Sequence, residues 1–293
     1  MNVGIIGVGL MGHGIARNVL IRGRFPLVFL DHPGNQPVDD LVGLGAKSCE
    51  TAWEVASVSD VIILCVTGSP EVEAVLASKD GVLAGLRNGA IVVDCSTSIP
   101  ESTLRMAEAV KNAGGEFLDA PMTRLAKQAH EGTLNLLVGG DEAVLAKVRS
   151  VLASFTENVE HVGPISFGHR LKLLHNFVSI GFMALLAEAA AHSADAGIDP
   201  RIFVDVLAKG GGAGAALERM RPMMISGDSS NVPFFIDNAF KDIDYYRAMA
   251  SGSGASKEIA DGVAAAILLA IKDGQGRAYT PELARFFQRK APA

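Results

Sequence analysis

The chain has 293 residues, 49% of them hydrophobic and 20% charged, with a formal net charge of −6. That length and apolar content suit about two globular domains and exclude a disordered polymer. The acidic balance, with no block of Lys or Arg, excludes the clustered cationic footprint of a nucleic-acid partner, although one or two arginines suffice for a small anion.

Three cysteines, Cys49, Cys65 and Cys95, fit no metal or redox spacing. Cys65 and Cys95 fall in apolar runs read as buried strands, so reduced, packed thiols and a cytoplasmic setting are expected. The start, Asn2 to Gly7, lacks the charged front of a signal peptide. The most apolar stretch, Phe177–Ala191, is shorter than the ~20 residues of a membrane span and runs into Glu188 and Asp195. It reads as a core helix, with no membrane partner.

In chain order, apolar runs at Val3–Ile6, Leu27–Leu30, Val61–Val66 and Ala90–Val93 read as strands, with shorter candidates at Phe117–Leu118 and Asn135–Val138. Helical patterns fall between them at Leu10–Arg22, Thr51–Ala56, Val72–Leu76, Ser102–Asn112 and Glu142–Ser154. Continuous apolar strands alternating with helices predict a mostly parallel α/β sheet covered on both faces. After about residue 163 strand-like runs vanish. Leu171–Ala196 reads as one long, Ala-rich helix, followed by Arg201–Leu207, Ala215–Met224, Asn238–Ser251 and Ser256–Lys272. The expected organisation is a nucleotide-binding domain over 1–162 and an all-helical domain over 163–293. A helix this apolar on most faces calls for partners all round, including a second subunit.

Gly7-Val8-Gly9-Leu10-Met11-Gly12 follows the first strand and opens the first helix. This is G-x-G-x-x-G in its functional context. Gly7 allows the tight turn, Gly9 lets a pyrophosphate approach, Gly12 permits close helix–strand packing, and the helix N-terminus offers N–H groups to phosphate. Asp31 ends the second strand, 31 − 12 = 19 residues after the last motif glycine. An acid there accepts from a ribose 2′-hydroxyl and repels a 2′-phosphate. No arginine follows in His32-Pro33-Gly34-Asn35-Gln36, which favours NAD over NADP. An ordinary turn aspartate is the alternative.

Lys172, His175, Asn176 and Ser179 recur at spacings of three and four, on one face of the long helix. Two readings fit this stripe. It is a solvent-facing edge, or it is a catalytic face in which a desolvated lysine, its pKa lowered, serves as a general acid near neutral pH. The histidines form no cluster with ligand spacing, so no metal is expected. His175 suits either substrate contact or ordinary packing.

These residues match a known pattern. The chain resembles the β-hydroxyacid dehydrogenases, the 3-hydroxyisobutyrate dehydrogenase family. The resemblance rests on Gly7–Gly12 with Ala16-Arg17-Asn18, on Asp94-Cys95-Ser96-Thr97 with Pro100 and Thr103, on Gly163-Pro164 through Gly168, Lys172 and Asn176, and on Lys241-Asp242. It implies a Rossmann-type domain followed by an all-helical one, an active site in the cleft, and a homodimer or homotetramer. Lys172 would exchange the proton with the substrate oxygen, and Asn176 would hold the substrate and orient the lysine. Val66 and Thr97 would contact the cofactor, Lys241 would approach the nicotinamide end, and Ser96 would lie at the substrate.

The departures bear on the substrate. The family segment D-A-P-V-S-G-G reads Asp119-Ala120-Pro121-Met122-Thr123-Arg124-Leu125 here, so Thr123 and Arg124 replace a Ser-Gly clamp. Arginine brings an always-charged planar fork suited to an oxyanion. This variant is similar to the subgroup containing sulfolactaldehyde reductase, and to γ-hydroxybutyrate (succinate semialdehyde) dehydrogenases. Ser179 and Ala187–Ala190 strengthen the first likeness. An ion pair is the alternative role for Arg124. Ser166 stands where a glycine is usual, His13 where a smaller residue is usual, and Arg277 is either a second basic group at the cleft or a solvated loop charge. The expected activity is NAD-dependent reduction of a small anionic aldehyde to its hydroxy acid, or the reverse. The alternatives are γ-hydroxybutyrate, 3-hydroxyisobutyrate or tartronate semialdehyde turnover. More remote are an imine reductase and a non-catalytic dinucleotide-binding protein, against both of which Lys172 and Asn176 argue.

Overall fold

Strands that are apolar on both faces are stable only between two layers of helices, and the first unit satisfies that requirement. In the computed structural model, which describes residues 1–288, the elements of this unit are β1 (Val3–Ile6), α1 (Leu10–Ile21), β2 (Leu27–Leu30), α2 (Asp39–Gly43), β3 (Lys47–Cys49), α3 (Ala52–Val58), β4 (Val61–Leu64), α4 (Ser69–Ala77), α5 (Val82–Gly85), β5 (Ile91–Asp94) and α6 (Pro100–Asn112). They continue with β6 (Glu116–Asp119), β7 (Met122–Thr123), α7 (Ala126–Glu131), β8 (Leu134–Gly139), α8 (Glu142–Leu152) and β9 (Thr156–Gly163). The sheet runs β3-β2-β1-β4-β5-β6-β8-β7, with β9 on β8. The first six strands are parallel and β8 is antiparallel to β6. This is the doubly wound order of a Rossmann fold, and its switch point lies between β1 and β4.

Every residue of β1, β4 and β5 is buried. One core, with Ile5, Val19, Phe29, Ile63 and Leu118, lies on one side of the sheet. Another, with Ile6, Ile62, Leu64, Val92 and Leu76, lies on the other. The two thiols read as strand residues sit one position past strand ends, Cys65 after β4 and Cys95 after β5. Strand β9 has no counterpart in the sequence reading. It is an edge strand, with Glu157, Asn158, Glu160 and His161 exposed or half-buried, and carries no apolar run to betray it.

The second unit is helical: α9 (Phe167–Asp195), α10 (Pro200–Ala208), α11 (Ala215–Ser226), α12 (Ile236–Ser253), α13 (Glu258–Lys272) and α14 (Leu283–Phe286). Its own core includes Ile180, Met183, Leu217, Met220, Ile243 and Ile267. The two units are Met1–Lys172 and Leu173–Ala293, so the packing division falls inside α9. At 29 residues α9 is long and apolar enough to cross a membrane, alone among helices of the described residues, so the expected shortness does not hold. What makes it a core helix is packing: Ile180, Met183, Ala184, Leu186 and Ala187 are buried in the second unit.

Candidate active site

The glycine loop is sterically committed. Gly7 has φ +97°, and a Cβ there would lie 2.2 Å from the Cys65 carbonyl oxygen. A Cβ on Gly12 would lie 1.9 Å from the Gly7 carbonyl oxygen. Side chains are thus excluded at both positions. Gly9 differs: nothing stands within 4 Å of its Cβ position, which leaves an open approach to the backbone. Gly9 also begins α1 without a side-chain cap, and the first turn holds no acid. The amides of Leu10 and Met11 belong to that turn, where the helix presents unsatisfied donors to an anion. These features fit the pyrophosphate of a dinucleotide.

The loop after β2 folds over this cradle. The Val8 amide donates to Asn35 Oδ1 at 3.3 Å, Asn35 Nδ2 donates to the Leu30 carbonyl at 3.0 Å, and the Gln36 amide donates to the Val8 carbonyl at 2.8 Å. Sequence reasoning missed Asn35, because a bond between residues 27 apart leaves no periodic mark. Asp31 is exposed at the end of β2, with its amide bound to the Cys49 carbonyl at 2.8 Å. His32 turns back into its own loop, accepting from the Gly34 amide at Nδ1. His13 has its buried ring 3.0 Å from Asp40 Oδ1 and 5.4 Å from the His130 ring.

At the ends of β4 and β5, Ser96 ties two loops together. Its Oγ accepts from the Val66 amide at 3.1 Å, and its own amide donates to Asp94 Oδ1 at 2.9 Å. Ser96 is buried, whereas Val66 and Thr97 are half-buried. Farther along the sheet, Thr123 Oγ1 accepts from Asn135 Nδ2. Arg124 follows with φ +79°, unusual for a residue with a Cβ. Its Nη1 donates to both the Glu157 carboxylate and the Thr133 carbonyl, so the guanidinium is held at the β8–β9 edge by an ion pair.

The start of α9 is built by a buried carboxylate. Asp119 Oδ1 accepts from the Ser166 amide and Oδ2 from the His169 amide, both at 2.8 Å. Ser166 has φ +77°, which explains why glycine is the easier residue there. The acid at the helix N-terminus also opposes the helix dipole favourably. One turn on, Lys172 Nζ donates to the Met122 carbonyl at 2.6 Å. One of its three N–H donors is thereby fixed, and the ammonium stands beside the β7 segment.

In the second unit, Asn176 is buried, and its side-chain amide is set at both ends. Nδ2 donates to Asp242 Oδ2 at 2.6 Å, and Oδ1 lies 3.0 Å from His175 Nδ1. The other oxygen of Asp242 pairs with Lys241 Nζ at 3.0 Å, and that ammonium lies 5.0 Å from the Tyr245 ring centroid. His175 is exposed and Ser179 half-buried on the same helix face. The sequence reading does not name Asp242 as a site residue, although its carboxylate fixes the amide nitrogen of Asn176. Arg277 stacks on Phe235, its guanidinium carbon 4.2 Å from the ring centroid. Among the described residues no group of three or more His, Cys, Asp or Glu is placed to hold a metal ion.

A doubly wound sheet, a glycine cradle at its first crossover and a lysine-bearing helix define a dinucleotide-dependent oxidoreductase. Comparison with known proteins agrees. Residues 2–163 match the NAD-binding domain of 6-phosphogluconate dehydrogenase, and residues 167–287 match the NAD-binding model of NADP-dependent 3-hydroxyisobutyrate dehydrogenase. The chain is 34% identical to the 2-(hydroxymethyl)glutarate dehydrogenase of Eubacterium barkeri, over 83% of this chain and 80% of the relative. It is 36% identical to the 2-hydroxy-3-oxopropionate reductase of Escherichia coli, over 68% of each. A crystal structure of 3-hydroxyisobutyrate dehydrogenase from Salmonella typhimurium superposes with a TM-score of 0.86 at 26% identity, over 98% of this chain and 100% of that one. The chain belongs to the β-hydroxyacid dehydrogenase family. It is an NAD(P)-dependent oxidoreductase acting on CH–OH groups of small hydroxy acids or on the matching semialdehydes.

Proposed function

We propose that this enzyme interconverts a small aldehyde bearing a remote anionic group with the corresponding hydroxy acid, using NAD. The observation that carries this reading is the ammonium of Lys172, fixed on the Met122 carbonyl beside the β7 segment. A nicotinamide dinucleotide held at the glycine cradle would supply the hydride chemistry in either direction. Lys172 delivers the proton to the developing alkoxide, and takes it back from the alcohol. Asn176 lies one turn along the same helix face. Its orientation is set by Asp242 and His175, and the second N–H of Nδ2 is its donor for substrate.

Gly7, Gly9, Leu10, Met11 and Gly12 hold the pyrophosphate. Asp31 accepts from the adenosine ribose, and its charge selects NAD over NADP. Val66, Thr97 and Lys241 serve the nicotinamide end. Ser96, Thr123, His175 and Ser179 line the substrate. Arg124 reads the remote anion, which exchanges with the Glu157 carboxylate now on the guanidinium. Binding energy gained at that remote group orients the carbonyl for transfer. Two relatives are named for acidic substrates, 2-(hydroxymethyl)glutarate and 2-hydroxy-3-oxopropionate, and both support an anionic substrate here. A sulfonate, as in sulfolactaldehyde, and a carboxylate, as in succinate semialdehyde, suit the same fork.

The assembly proposed is a cytoplasmic homodimer or homotetramer. The supporting observation is an apolar stripe on α9, in which Val178 and Leu185 are 68% and 63% exposed; on α10, Ile202 and Val206 are 60% and 65% exposed. Light scattering after gel filtration reads the mass directly.

The substrate test is initial NADH oxidation with sulfolactaldehyde, succinate semialdehyde and 2-hydroxy-3-oxopropionate at equal concentration. A neutral aldehyde of similar size serves as control. Faster turnover of at least one anionic aldehyde than of the control is the expected result. A preference for the neutral aldehyde removes the role of Arg124.

A further inference from the structure

Between the two halves of the chemistry in the first unit lies a residue that the proposed mechanism does not use. His169 has no exposed surface. Its ring touches three separate elements. Nε2 lies 3.2 Å from the Ser96 carbonyl oxygen, and Nδ1 lies 2.7 Å from Thr103 Oγ1 on α6. Asp94 Oδ2 and Asp119 Oδ2, the last residues of β5 and β6, each stand 3.8 Å from a ring nitrogen. Its backbone amide is itself held by Asp119. A carbonyl oxygen only accepts, so Nε2 carries the hydrogen and donates to Ser96.

That bond fixes a peptide plane. In a planar trans peptide the carbonyl and the following N–H point in opposite directions. Drawing the Ser96 carbonyl toward His169 therefore turns the Thr97 N–H away from the buried cluster. The Ser96 amide is anchored on Asp94 and its hydroxyl on the Val66 amide, so the residue from which this plane starts is itself held. His169 also lies three residues before Lys172 on α9, and the same ring thus ties the start of the lysine-bearing helix to the β5 loop.

We propose that His169 is a positioning residue: its Nε2–H sets the Ser96–Thr97 peptide that faces the nicotinamide half of the cofactor. The proposal rests on the placement of Thr97 at that half, given above. A site held by buried, fully bonded neighbours keeps its geometry more tightly than one left to a mobile loop.

The test compares His169→Gln with His169→Met. The two side chains are similar in length and both lose the Nδ1 contact, but only glutamine keeps a donor where Nε2 lies. Dissociation constants are measured by fluorescence for NADH and by calorimetry for ADP-ribose, which lacks the nicotinamide. The expected result is a tenfold or greater rise in the NADH to ADP-ribose ratio of dissociation constants in H169M. In H169Q the ratio stays within threefold of the wild type. If the methionine variant does not fold, His169→Asn, which keeps a donor on the Nδ1 side only, takes its place. Equal ratios in H169M and wild type overturn the proposal. So does an equal change in H169Q and H169M, which assigns the residue to packing. Wild-type protein that binds NADH but reduces no anionic aldehyde refutes the proposed reaction and leaves these binding ratios readable.

Discussion

Replacing Asp119 with asparagine tests whether one buried carboxylate sets the lysine-bearing helix. Asp119 is fully buried and accepts two backbone N–H bonds at 2.8 Å, from Ser166 and His169. Its slot is walled by glycine: a Cβ on Gly139 would lie 2.5 Å from Asp119 Oδ1, and one on Gly168 would lie 2.9 Å from Oδ2. Asparagine fits the space but offers one acceptor and sets an NH₂ group against the other amide. The lost charge-assisted bond is worth about 1.5–3 kcal/mol, and the stranded amide adds about 1–3 kcal/mol. Loss of the charge at the helix N-terminus adds roughly 0.5 kcal/mol. A destabilisation of about 3–6.5 kcal/mol follows, a large part of the ~5–15 kcal/mol that holds a domain folded. Because Lys172 lies on the second turn of that helix, kcat should fall at least tenfold in protein that is still folded. Urea unfolding followed by circular dichroism gives the first number, and NADH oxidation below the transition gives the second. A loss of stability under 1 kcal/mol, with kcat unchanged, would refute the assignment of Asp119 as the anchor of α9.

Three further predictions follow from the same contacts. Lys172→Met removes the proposed proton donor, so kcat should drop roughly 10²–10⁴-fold while NADH still binds; turnover within threefold of wild type would remove Lys172 from the chemistry. Asp31→Ser removes the charge that opposes a 2′-phosphate, worth about 1.4 kcal/mol or more at close range in a partly exposed site. The NADPH to NADH ratio of kcat/KM should therefore rise about tenfold or more, and an unchanged ratio would place the discrimination elsewhere. Burial, followed by the nearby Asp94, pushes the Cys65 thiol up to about 12 from 9.0, and burial pushes Cys95 up as well. The folded state thus holds these protons after the unfolded chain has lost its own. The stability they confer is complete below about pH 9 and declines as pH rises toward 12. Native protein at pH 8 should resist thiol reagents at buried Cys95 and at half-buried Cys65, whose thiol is held protonated, with Cys49 reacting first. Rapid labelling of Cys65 in folded protein would contradict this upward shift.

What the sequence makes legible is what lies close along the chain. The glycine cradle is local, so its spacing alone announces it, and the steric clashes at Gly7 and Gly12 give the reason. Five of the six parallel strands, β1, β2, β4, β5 and β6, are legible because their burial forces apolar runs. The edge strands β3 and β9 and the two-residue β7 escape, because an edge strand need not be apolar and a bridge of two residues has no period. Arg124 is the instructive case. Its charge suggests an anion, but only the fold shows Glu157 opposite it across the sheet. Asn35, His169 and Asp242 were invisible as positioning groups for a related reason: each acts through partners 27 to 73 residues away.

The strand-terminal aspartates show where local reading stops. Asp31, Asp94 and Asp119 each close or follow an apolar run, and in sequence the three look alike. In the sheet, Asp94 and Asp119 are paired neighbours on β5 and β6, both without exposed surface. Two buried carboxylates side by side are costly unless donors surround them. The amides of Ser96, Ser166 and His169 and the hydroxyl of Ser98 supply that surround. Those same donors belong to the β5 loop and to the first turn of α9, so satisfying the acids also fixes the segments that carry Thr97 and Lys172. Asp31, at the end of β2, is open to solvent, where the proposed ribose contact needs it. One local pattern thus gives two buried anchors and one exposed carboxylate, and what packs above each strand end decides between them.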